Sequence, residues 1–248
     1  SDIHSTTKVI DAAVGDYLYL ASYNPFNHRY FDVSVANALA SAPVIQFWNG
    51  SDWTNMVDVV DETSVAGATL AQDGIISWRM DPVGFTWAYQ DTPVMIGSGL
   101  ETLSIFGLYW IRISFSAGLD ATATLNYIGH KFSEDPALEA EYPDLARAAL
   151  KTAWKAGKID WAEQTLLAAE YIVAELRGPR RKILTPDQIF TWQLFEKASV
   201  HRTAMIIFKG LGKDYQEQFA LAAASFKSAL DIRQFDVDEN RNGELEPG

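Results

Sequence analysis

A short stretch near the end of the sequence combines the residue types of a calcium loop. Asp238, Asn240 and Asn242 alternate with other residues, and Gly243 and Glu244 follow them. Carboxylate and amide oxygens at alternating positions converge on a hard cation, and glycine permits the sharp turn that the loop needs. The acid expected at the twelfth position of such a loop is missing. Two interpretations stay open: a calcium site formed by Asp238, Asn240, Asn242 and Glu244, or an acidic flexible tail that holds no metal.

A second stretch offers positive charge instead of oxygen ligands. Arg177, Arg180, Arg181 and Lys182 lie within six consecutive residues, just after a predicted helix. Such a cluster attracts phosphates or the acidic surface of a protein. We hypothesise that these four residues make assembly contacts, and the alternative is a solvated loop without a partner. Duplex DNA is not the expected ligand, because a chain of net charge −12 repels the DNA backbone.

Motifs of the common enzyme families do not occur in the sequence. It contains no Gly-x-Gly-x-x-Gly, no Walker phosphate loop, no His-Glu-x-x-His and no Gly-x-Ser-x-Gly. Its four histidines, His4, His28, His130 and His201, are far apart, which is typical of structural or solvated histidines. The absence of cysteine excludes disulfides and thiolate nucleophiles. We therefore expect a protein that is not an enzyme and that, calcium aside, uses no cofactor.

Charge is distributed unevenly along the chain. Residues 1–140 carry 5 Lys/Arg and 16 Asp/Glu, a balance of −11, whereas residues 147–213 carry 12 basic and 6 acidic residues, a balance of +6. Residues 214–248 are acidic again, with 3 basic and 8 acidic residues. Oppositely charged regions on one chain suit ordered self-assembly or docking on a charged partner, although a solvated surface would show the same composition.

The composition is that of a folded protein with sizeable cores. Of its 248 residues, 48% are hydrophobic and 12% aromatic, which is enough for one large domain or two ordinary ones. No apolar run approaches the roughly 20 residues that span a bilayer, so we expect no membrane segment.

Short β-type runs separated by turn residues fill the first half of the sequence. In the run 108–115, Tyr109, Ile111 and Ile113 share one face, whereas Arg112 lies on the other. Strands at this spacing, without intervening helices, predict an antiparallel β-sandwich over residues 1–140, immunoglobulin-like or jelly-roll-like. The strongest runs are 17–20, 30–35, 44–48, 57–60, 74–78 and 108–115.

Five of the eight tryptophans fall in the predicted sandwich: Trp48, Trp53, Trp78, Trp87 and Trp110. Exposed aromatic rings form stacking platforms in sugar-binding modules, so a carbohydrate-binding function is one interpretation. The other is ordinary core and edge packing, because most tryptophans of a sandwich are buried. Nothing in their spacing selects between the two.

The second half of the sequence predicts four helices joined by short links. The clearest spans Asp160 to Arg177, with Asp160 and Glu163 as a capping box and Gly178-Pro179 as the stop. Its predicted apolar stripe consists of Trp161, Ala168, Ile172 and Leu176. The other three are predicted at 143–156, 185–209 and 215–232, and the helix over 185–209 opens on a start signal, Thr185-Pro186-Asp187-Gln188. Together they predict a helical domain over residues 141–232, followed by an acidic C-terminal tail over 233–248.

Three features of the chain carry a resemblance to a known family: the order of the four helices, the acidic Asp/Asn/Gly tail, and short phrases at 16–19, 24–27, 48–53, 60–63, 74–78, 107–115, 132–135 and 142–145. On these features, the chain as a whole resembles a neck protein of tailed bacteriophages of the head–tail connector (adaptor) type. Adaptors are usually a bare helical unit, so the large N-terminal sandwich departs from their plan and suggests a collar or decoration domain.

The resemblance implies a non-enzymatic structural protein, made in the host cytoplasm and located in the virion. It implies a four-helix connector-type domain and a homo-oligomer, a dodecameric ring between the portal protein and a further neck or tail protein. DNA would pass through this ring without sequence-specific binding, in agreement with the acidic charge. The alternative is a carbohydrate-binding or decoration module attached to a virion or a cell-surface assembly.

Overall fold

The computed structural model of the chain describes residues 7–10, 12–80, 86–177 and 185–232, and the backbone of residues 236–237 and 246–247. It divides into two compact units. The sheet unit comprises Ser1–Gly129 and Asn240–Glu246, and the helical unit comprises His130–Glu239 and Pro247–Gly248. The described residues form two sandwich-like antiparallel sheets of five strands each, together with five α-helices.

Ten strands build the two sheets. The first sheet has the order β1-β10-β3-β7-β6, and the second has the order β2-β9-β4-β5, with β8 paired to β9. In chain order the strands are β1 (Lys8–Val9), β2 (Leu18–Ser22), β3 (His28–Val35), β4 (Pro43–Trp48), β5 (Trp53–Asn55), β6 (Val57–Asp61), β7 (Gly74–Arg79), β8 (Tyr89–Gln90), β9 (Leu108–Phe115) and β10 (Thr124–Gly129).

All six runs predicted as strands are confirmed, as β2, β3, β4, β6, β7 and β9. The strands that sequence analysis missed are short, or lack a regular alternation. β1, β5 and β8 have only two or three residues each. The pairing of β10 with β3 shifts register twice, between Thr124 and Leu125 and between Leu125 and Tyr127, which interrupts the period of two.

The core of the sheet unit is formed by large apolar side chains from strands of both sheets. Each sheet contributes residues with at most 1% exposure, such as Phe31 and Ile75 from the first and Ile45 and Ile111 from the second. The Nε1 atom of Trp78 donates to the carbonyl of Phe26 at 3.0 Å, so its one polar atom is satisfied inside the core.

The helical unit contains α1 (Asp135–Glu141), α2 (Ala148–Trp154), α3 (Ala162–Leu176), α4 (Glu196–Leu211) and α5 (Gln216–Ala229). α4 is central, because α1, α2, α3 and α5 all pack against it. The predicted apolar stripe of α3 is confirmed: Trp161, Ala168 and Ile172 are fully buried and Leu176 is 9% exposed. The predicted capping box does not form, because Glu163 contacts Lys158 while Asp160 accepts from the N–H of Ala162.

Two of the predicted helices are broken into shorter elements. In place of one helix over 143–156, the structure has a 3₁₀ turn at Pro143–Ala146, an extended residue at Arg147 and then α2. α1, which ends at Glu141 before this range, was not predicted. Pro143 lacks the N–H that a continuous helix needs and restricts the residue before it. The helix predicted over 185–209 begins only at Glu196, after 3₁₀ turns at Pro186–Gln188 and Trp192–Phe195.

Between these two turns the chain buries Ile189 and Phe190. The start signal at Thr185 is real, since its N–H donates to Oε1 of Gln188 at 3.3 Å, but it closes a single turn. Beyond α5, two strands of two residues each occur at Asp236–Val237 and Glu246–Pro247.

Candidate functional site

Most of the site residues predicted from the sequence lie outside the described residues. This holds for Asp238, Asn240, Asn242 and Glu244 of the calcium hypothesis, and for Arg180, Arg181 and Lys182 of the basic loop. Arg177 is described, and it is an exposed residue directly after α3. In the part of the chain with described side chains, no group of three or more His, Asp or Glu residues is placed to hold a metal ion.

A polar row crosses the second sheet on its outward face. Tyr19 of β2, Arg112 of β9, Gln46 of β4 and Asn55 of β5 stand directly opposite one another in register. Directly paired residues of an antiparallel sheet point to the same face, so these four side chains are neighbours. Nε of Arg112 donates to Oε1 of Gln46 at 2.7 Å, and Nε2 of Gln46 donates to Oδ1 of Asn55 at 2.8 Å.

Aromatic rings frame the guanidinium group of this row. The Cζ atom of Arg112 lies 4.0 Å from the centroid of the Tyr17 ring and 4.8 Å from that of Trp53. Tyr19 completes the frame, with ring centroids 6.0 Å from Tyr17 and 5.8 Å from Trp53. Cation–π contacts on two rings and the bond to Gln46 restrict the rotamers of Arg112. The guanidinium is therefore held in place before any ligand arrives.

The row keeps donors that no other described residue uses. The Nη1 and Nη2 atoms of Arg112, the Nδ2 atom of Asn55 and the hydroxyl of Tyr17 have no hydrogen-bond acceptor within the described ranges. The Nη atoms are not among the buried unpaired atoms, so they reach solvent. All of these free groups can donate, and they suit a ligand rich in acceptor oxygens.

A second surface of the sheet unit is the loop between Asp91 and Gly107, here called the apolar loop. Ile96 is 82% exposed and Phe106 65%, which is unusual for large apolar side chains on one short segment. Val94, Leu103 and Ile105 of the same loop are also exposed. Such a surface on a folded unit is typical of a protein interaction site.

The apolar loop is fixed in shape by its own contacts. Met95 and Leu100 are buried against Trp48 and Trp110, so they anchor the loop on the second sheet. The hydroxyl of Thr92 donates to the carbonyl of Leu103 at 2.7 Å and to that of Ile105 at 3.2 Å.

Contacts at the two ends and the tip complete its frame. The N–H of Gly107 donates to Oδ1 of Asp91, and that of Gly97 donates to Oε1 of Glu101 at 2.5 Å. The carbonyl of Ser98 accepts from Tyr19 and from Trp53, each at 3.2 Å. The apolar loop therefore also orients two of the rings beside Arg112.

A cavity of about 630 Å³ opens in the sheet unit, at the edge formed by β1, β10 and β2. Its volume falls within the usual range of ligand pockets. The polar groups beside it serve the fold: Asp16 accepts from the N–H of Ala13 at 2.9 Å, and Asn126 donates to Asp32 at 2.6 Å. Lys8, Tyr17 and Tyr127 also line the cavity, and its apolar wall includes Val9, Leu18, Phe115, Leu125 and Ile128.

The tryptophans do not form the stacking platform that one interpretation of the sequence required. Trp48, Trp78, Trp87 and Trp110 are at most 6% exposed. Trp53 alone of the five is partly exposed, and it belongs to the frame of Arg112. For four of the five residues the structural interpretation is therefore confirmed.

Polar groups of the helical unit are paired with one another instead. Nε2 of His130 lies 2.6 Å from Oδ1 of Asp187, and the hydroxyls of Ser133 and Ser199 are 2.8 Å apart. Three lysine–carboxylate pairs are partly or largely buried: Lys131–Glu134, Lys151–Glu139 and Lys158–Glu163. The His130–Asp187 and Ser133–Ser199 contacts join segments far apart in the sequence, so they stabilise the arrangement of the helices, whereas Lys131–Glu134 and Lys158–Glu163 are local pairs.

Burial shifts the pKa of three groups in the helical unit. The Tyr142 hydroxyl lies 2.8 Å from Nδ1 of His201, and burial, helped by the charge of Glu141, raises the pKa of Tyr142 to about 12. Burial lowers the pKa of His201, against the opposing effect of Glu141. The pKa of Asp135 is raised by burial, although the N–H of Trp161 donates to its Oδ2 at 2.8 Å.

Sequence analysis missed both surfaces of the sheet unit, although each has a signal. Arg112 is one of only 5 basic residues in residues 1–140, and it stands in the middle of the strongest predicted strand. A single cation at that place in an acidic region indicates a charged partner or a ligand. The apolar loop shows seven large apolar residues between Gln90 and Gly107, with neither β alternation nor helical period.

No helix in the described ranges is long and apolar enough to cross a membrane. Comparison of the chain with protein-family models, with curated proteins and with solved structures gave no match.

Proposed function

We propose that this chain is a structural protein of the neck of a tailed bacteriophage, and that its copies assemble into a closed ring between the portal and the tail. In this proposal the helical unit forms a four-helix connector core. The two sheets form an immunoglobulin-like or jelly-roll-like collar domain. DNA passes through the ring without sequence-specific contacts, and the acidic charge of the chain favours that role.

The observation that carries the proposal is the apolar loop. Five large apolar side chains are exposed there on a backbone fixed by Thr92, Met95 and Leu100. A surface that is ordered before binding loses little conformational entropy when a partner covers it. Apolar area on such a loop contributes about 25 cal/mol per Å² once it is removed from water. The loop is thus suited to a lasting contact within an assembly.

The charge around the loop favours a protein neighbour over a lipid surface. Asp91 and Glu101 are the only charged residues between positions 86 and 111. Surfaces that enter anionic membranes carry lysine and arginine beside their apolar residues. An acidic and apolar surface is instead matched by the basic region 147–213, which has 12 basic and 6 acidic residues.

Two different surfaces that complement each other are what a closed ring requires. In a ring, each copy presents one face to the opposite face of the next copy, so the contact is heterologous. The basic loop with Arg177, Arg180, Arg181 and Lys182 remains the predicted partner surface, and only Arg177 of the four is described. Exposed charge pairs contribute about 0.2 to 1 kcal/mol each, so they would set the register while apolar contacts hold the ring.

The proposal is tested by mass photometry and negative-stain electron microscopy of the purified chain at increasing concentration. We expect closed rings of uniform size. Ile96→Ser together with Phe106→Ser should leave the melting temperature nearly unchanged, since both side chains are exposed, and should prevent ring formation. Leu221→Ser is the matched control, because Leu221 is 68% exposed on the helical unit and lies outside both the apolar loop and the basic region 147–213.

Antibody labelling of virions supplies the second readout, with label expected at the junction of head and tail. Rings that form equally well without the two apolar side chains would remove the loop from the interface. A chain that stays monomeric at all concentrations and labels no virion overturns the proposed function. Glycan binding without any assembly would favour the carbohydrate-binding alternative.

A further inference from the structure

We propose that the framed guanidinium of Arg112 is a binding site for a carboxylate-bearing sugar, such as a uronic or sialic acid at the end of a glycan. The site consists of Arg112, Asn55 and Tyr17, with Gln46, Tyr19 and Trp53 holding them in place. All six residues belong to the sheet unit of one copy, so the site does not need a second copy to be complete.

The geometry of the Arg112 guanidinium suits a carboxylate ligand. A guanidinium presents a planar fork that binds a carboxylate through two parallel N–H···O bonds. The Nε atom of Arg112 is already bonded to Gln46 at 2.7 Å, and rings lie 4.0 and 4.8 Å from Cζ. The edge formed by Nη1 and Nη2 has no hydrogen-bond acceptor among the described residues. That edge is one of the two through which a guanidinium binds a carboxylate with paired hydrogen bonds.

The charge around Arg112 also favours an external carboxylate. The sheet unit is strongly acidic, with 5 basic and 16 acidic residues over positions 1–140, yet no described carboxylate pairs with Arg112. Arg79, by contrast, is paired with Asp58 at 2.9 Å. An arginine fixed by aromatic rings and an amide, without its own counter-ion, is complementary to an external carboxylate. The acidic background repels anions in general, so binding depends on this local set of donors.

The neutral donors and aromatic rings beside the guanidinium favour a sugar over an acidic peptide. The amide of Asn55, next to Gln46 in the row, and the hydroxyl of Tyr17, whose ring lies against the guanidinium, supply neutral donors that suit the hydroxyl oxygens of a sugar ring. Tyr17 is 39% exposed and Trp53 is partly exposed, so apolar ring surface lies beside the donors. The row crosses three inter-strand spacings, about 14 Å, which accommodates more than a single side chain.

The proposal is tested on the whole chain by glycan array, followed by biolayer interferometry. The probes are oligosaccharides ending in glucuronic acid or sialic acid, the same oligosaccharides ending in glucose or galactose, and an aspartate-rich peptide. We expect at least one acidic glycan to bind roughly tenfold or more tightly than its neutral counterpart. The affinity should decrease as salt rises, because the contact is an exposed ion pair.

Substitutions decide whether the binding uses the proposed residues. Arg112→Lys keeps the charge but loses the fork, and should weaken acidic glycan binding by roughly tenfold or more. Tyr17→Phe and Asn55→Ala should each weaken it less, by a few fold, through the loss of one donor. Arg79→Lys is the matched control, because it changes another exposed arginine of the same unit and should leave binding unchanged. A melting curve of each variant verifies the fold.

Four results would overturn the proposal. They are no acidic glycan bound, equal affinity for acidic and neutral glycans, tighter binding of the aspartate-rich peptide, or full binding by a folded Arg112→Lys variant. Each of them leaves the proposed ring untouched, because ring formation is measured without any glycan. Conversely, a monomeric chain that binds acidic glycans through Arg112 would retain this site and refute only the ring.

Discussion

The two units of the chain use their polar side chains in opposite ways. In the sheet unit, the row around Arg112 is organised by internal contacts and still leaves donors for solvent. In the helical unit, Lys131 is 3% exposed in its side chain and its Nζ lies 3.2 Å from Glu134, and His130 and Asp187 are likewise paired. These pairs support the packing of the helical unit, whereas the row around Arg112 keeps donors at the surface of the sheet unit.

The largest effect on stability is expected from Trp161→Ala. Trp161 is fully buried, and its Nε1 donates to the carbonyl of Leu145 at 2.9 Å. Removing a buried tryptophan costs about 3 to 5 kcal/mol, which is much of the stability of a small domain. We expect the helical unit to unfold at a lower urea concentration while glycan binding by the sheet unit is retained. Ile159→Ser is the control and should change neither.

Two-phase unfolding of the variant, followed by circular dichroism for helix and by tryptophan fluorescence, checks the result. Tryptophans occur in both units, so the helical signal at 222 nm isolates the helical unit. A single transition in which the sheets unfold together with the helices would contradict the independence of the two units.

Sequence analysis succeeded where a local pattern determines the structure. The alternation in β9 and the apolar stripe of α3 both identified the buried residues, because each needs only one periodicity. It failed where distant residues decide. The helix predicted over 143–156 starts as a 3₁₀ turn at Pro143–Ala146 and becomes α-helical only after Arg147. Ile189 and Phe190 enter the core between two 3₁₀ turns, so tertiary burial overrode the start signal at Thr185.

The surface around Arg112 could not be predicted for a related reason. Its members come from positions 17–19, 46, 53–55 and 112, and only the pairing of β2, β9, β4 and β5 brings them together. The sequence does place Arg112 on the outward face of its strand. It does not indicate which strands lie beside that face. The apolar loop is similar, since the contacts of Met95 and Leu100 with Trp48 and Trp110 are all long-range.

A smaller effect of pH on stability is expected from His201 in the helical unit. Burial lowers the pKa of His201 below its usual value of 6.5. The folded state thus binds fewer protons than the unfolded state, so the stability that His201 contributes is complete above pH 6.5 and is lost as pH falls through its folded-state pKa. Melting temperature should therefore decrease between about pH 7 and about pH 5.

The groups facing His201 sharpen this experiment. Tyr142 lies 2.8 Å from its Nδ1, while the charges of Glu141 and Lys197 act in opposite directions on its pKa. His201→Gln keeps a polar side chain without a titrating group, so its melting temperature should depend less on pH over this range. If the variant and the natural chain lose stability in parallel, another group is responsible for the acid sensitivity.

The smallest expected effect is a difference in coupling energy between an ion pair of the sheet unit and one of the helical unit. Arg79–Asp58 in the sheet unit has side chains 59% and 62% exposed, whereas Lys151–Glu139 in the helical unit has 12% and 29%. Exposed pairs contribute about 0.2 to 1 kcal/mol, since solvent and salt screen them. A less exposed pair is screened less, and loss of one partner leaves a charge that is poorly hydrated.

We therefore expect a double-mutant cycle with alanine at both positions to give a larger coupling energy for Lys151–Glu139 than for Arg79–Asp58. Raising the salt concentration should reduce the coupling of the exposed pair first. Equal couplings with equal salt dependence would mean that the helical unit does not depend on its internal polar contacts more than the sheet unit does.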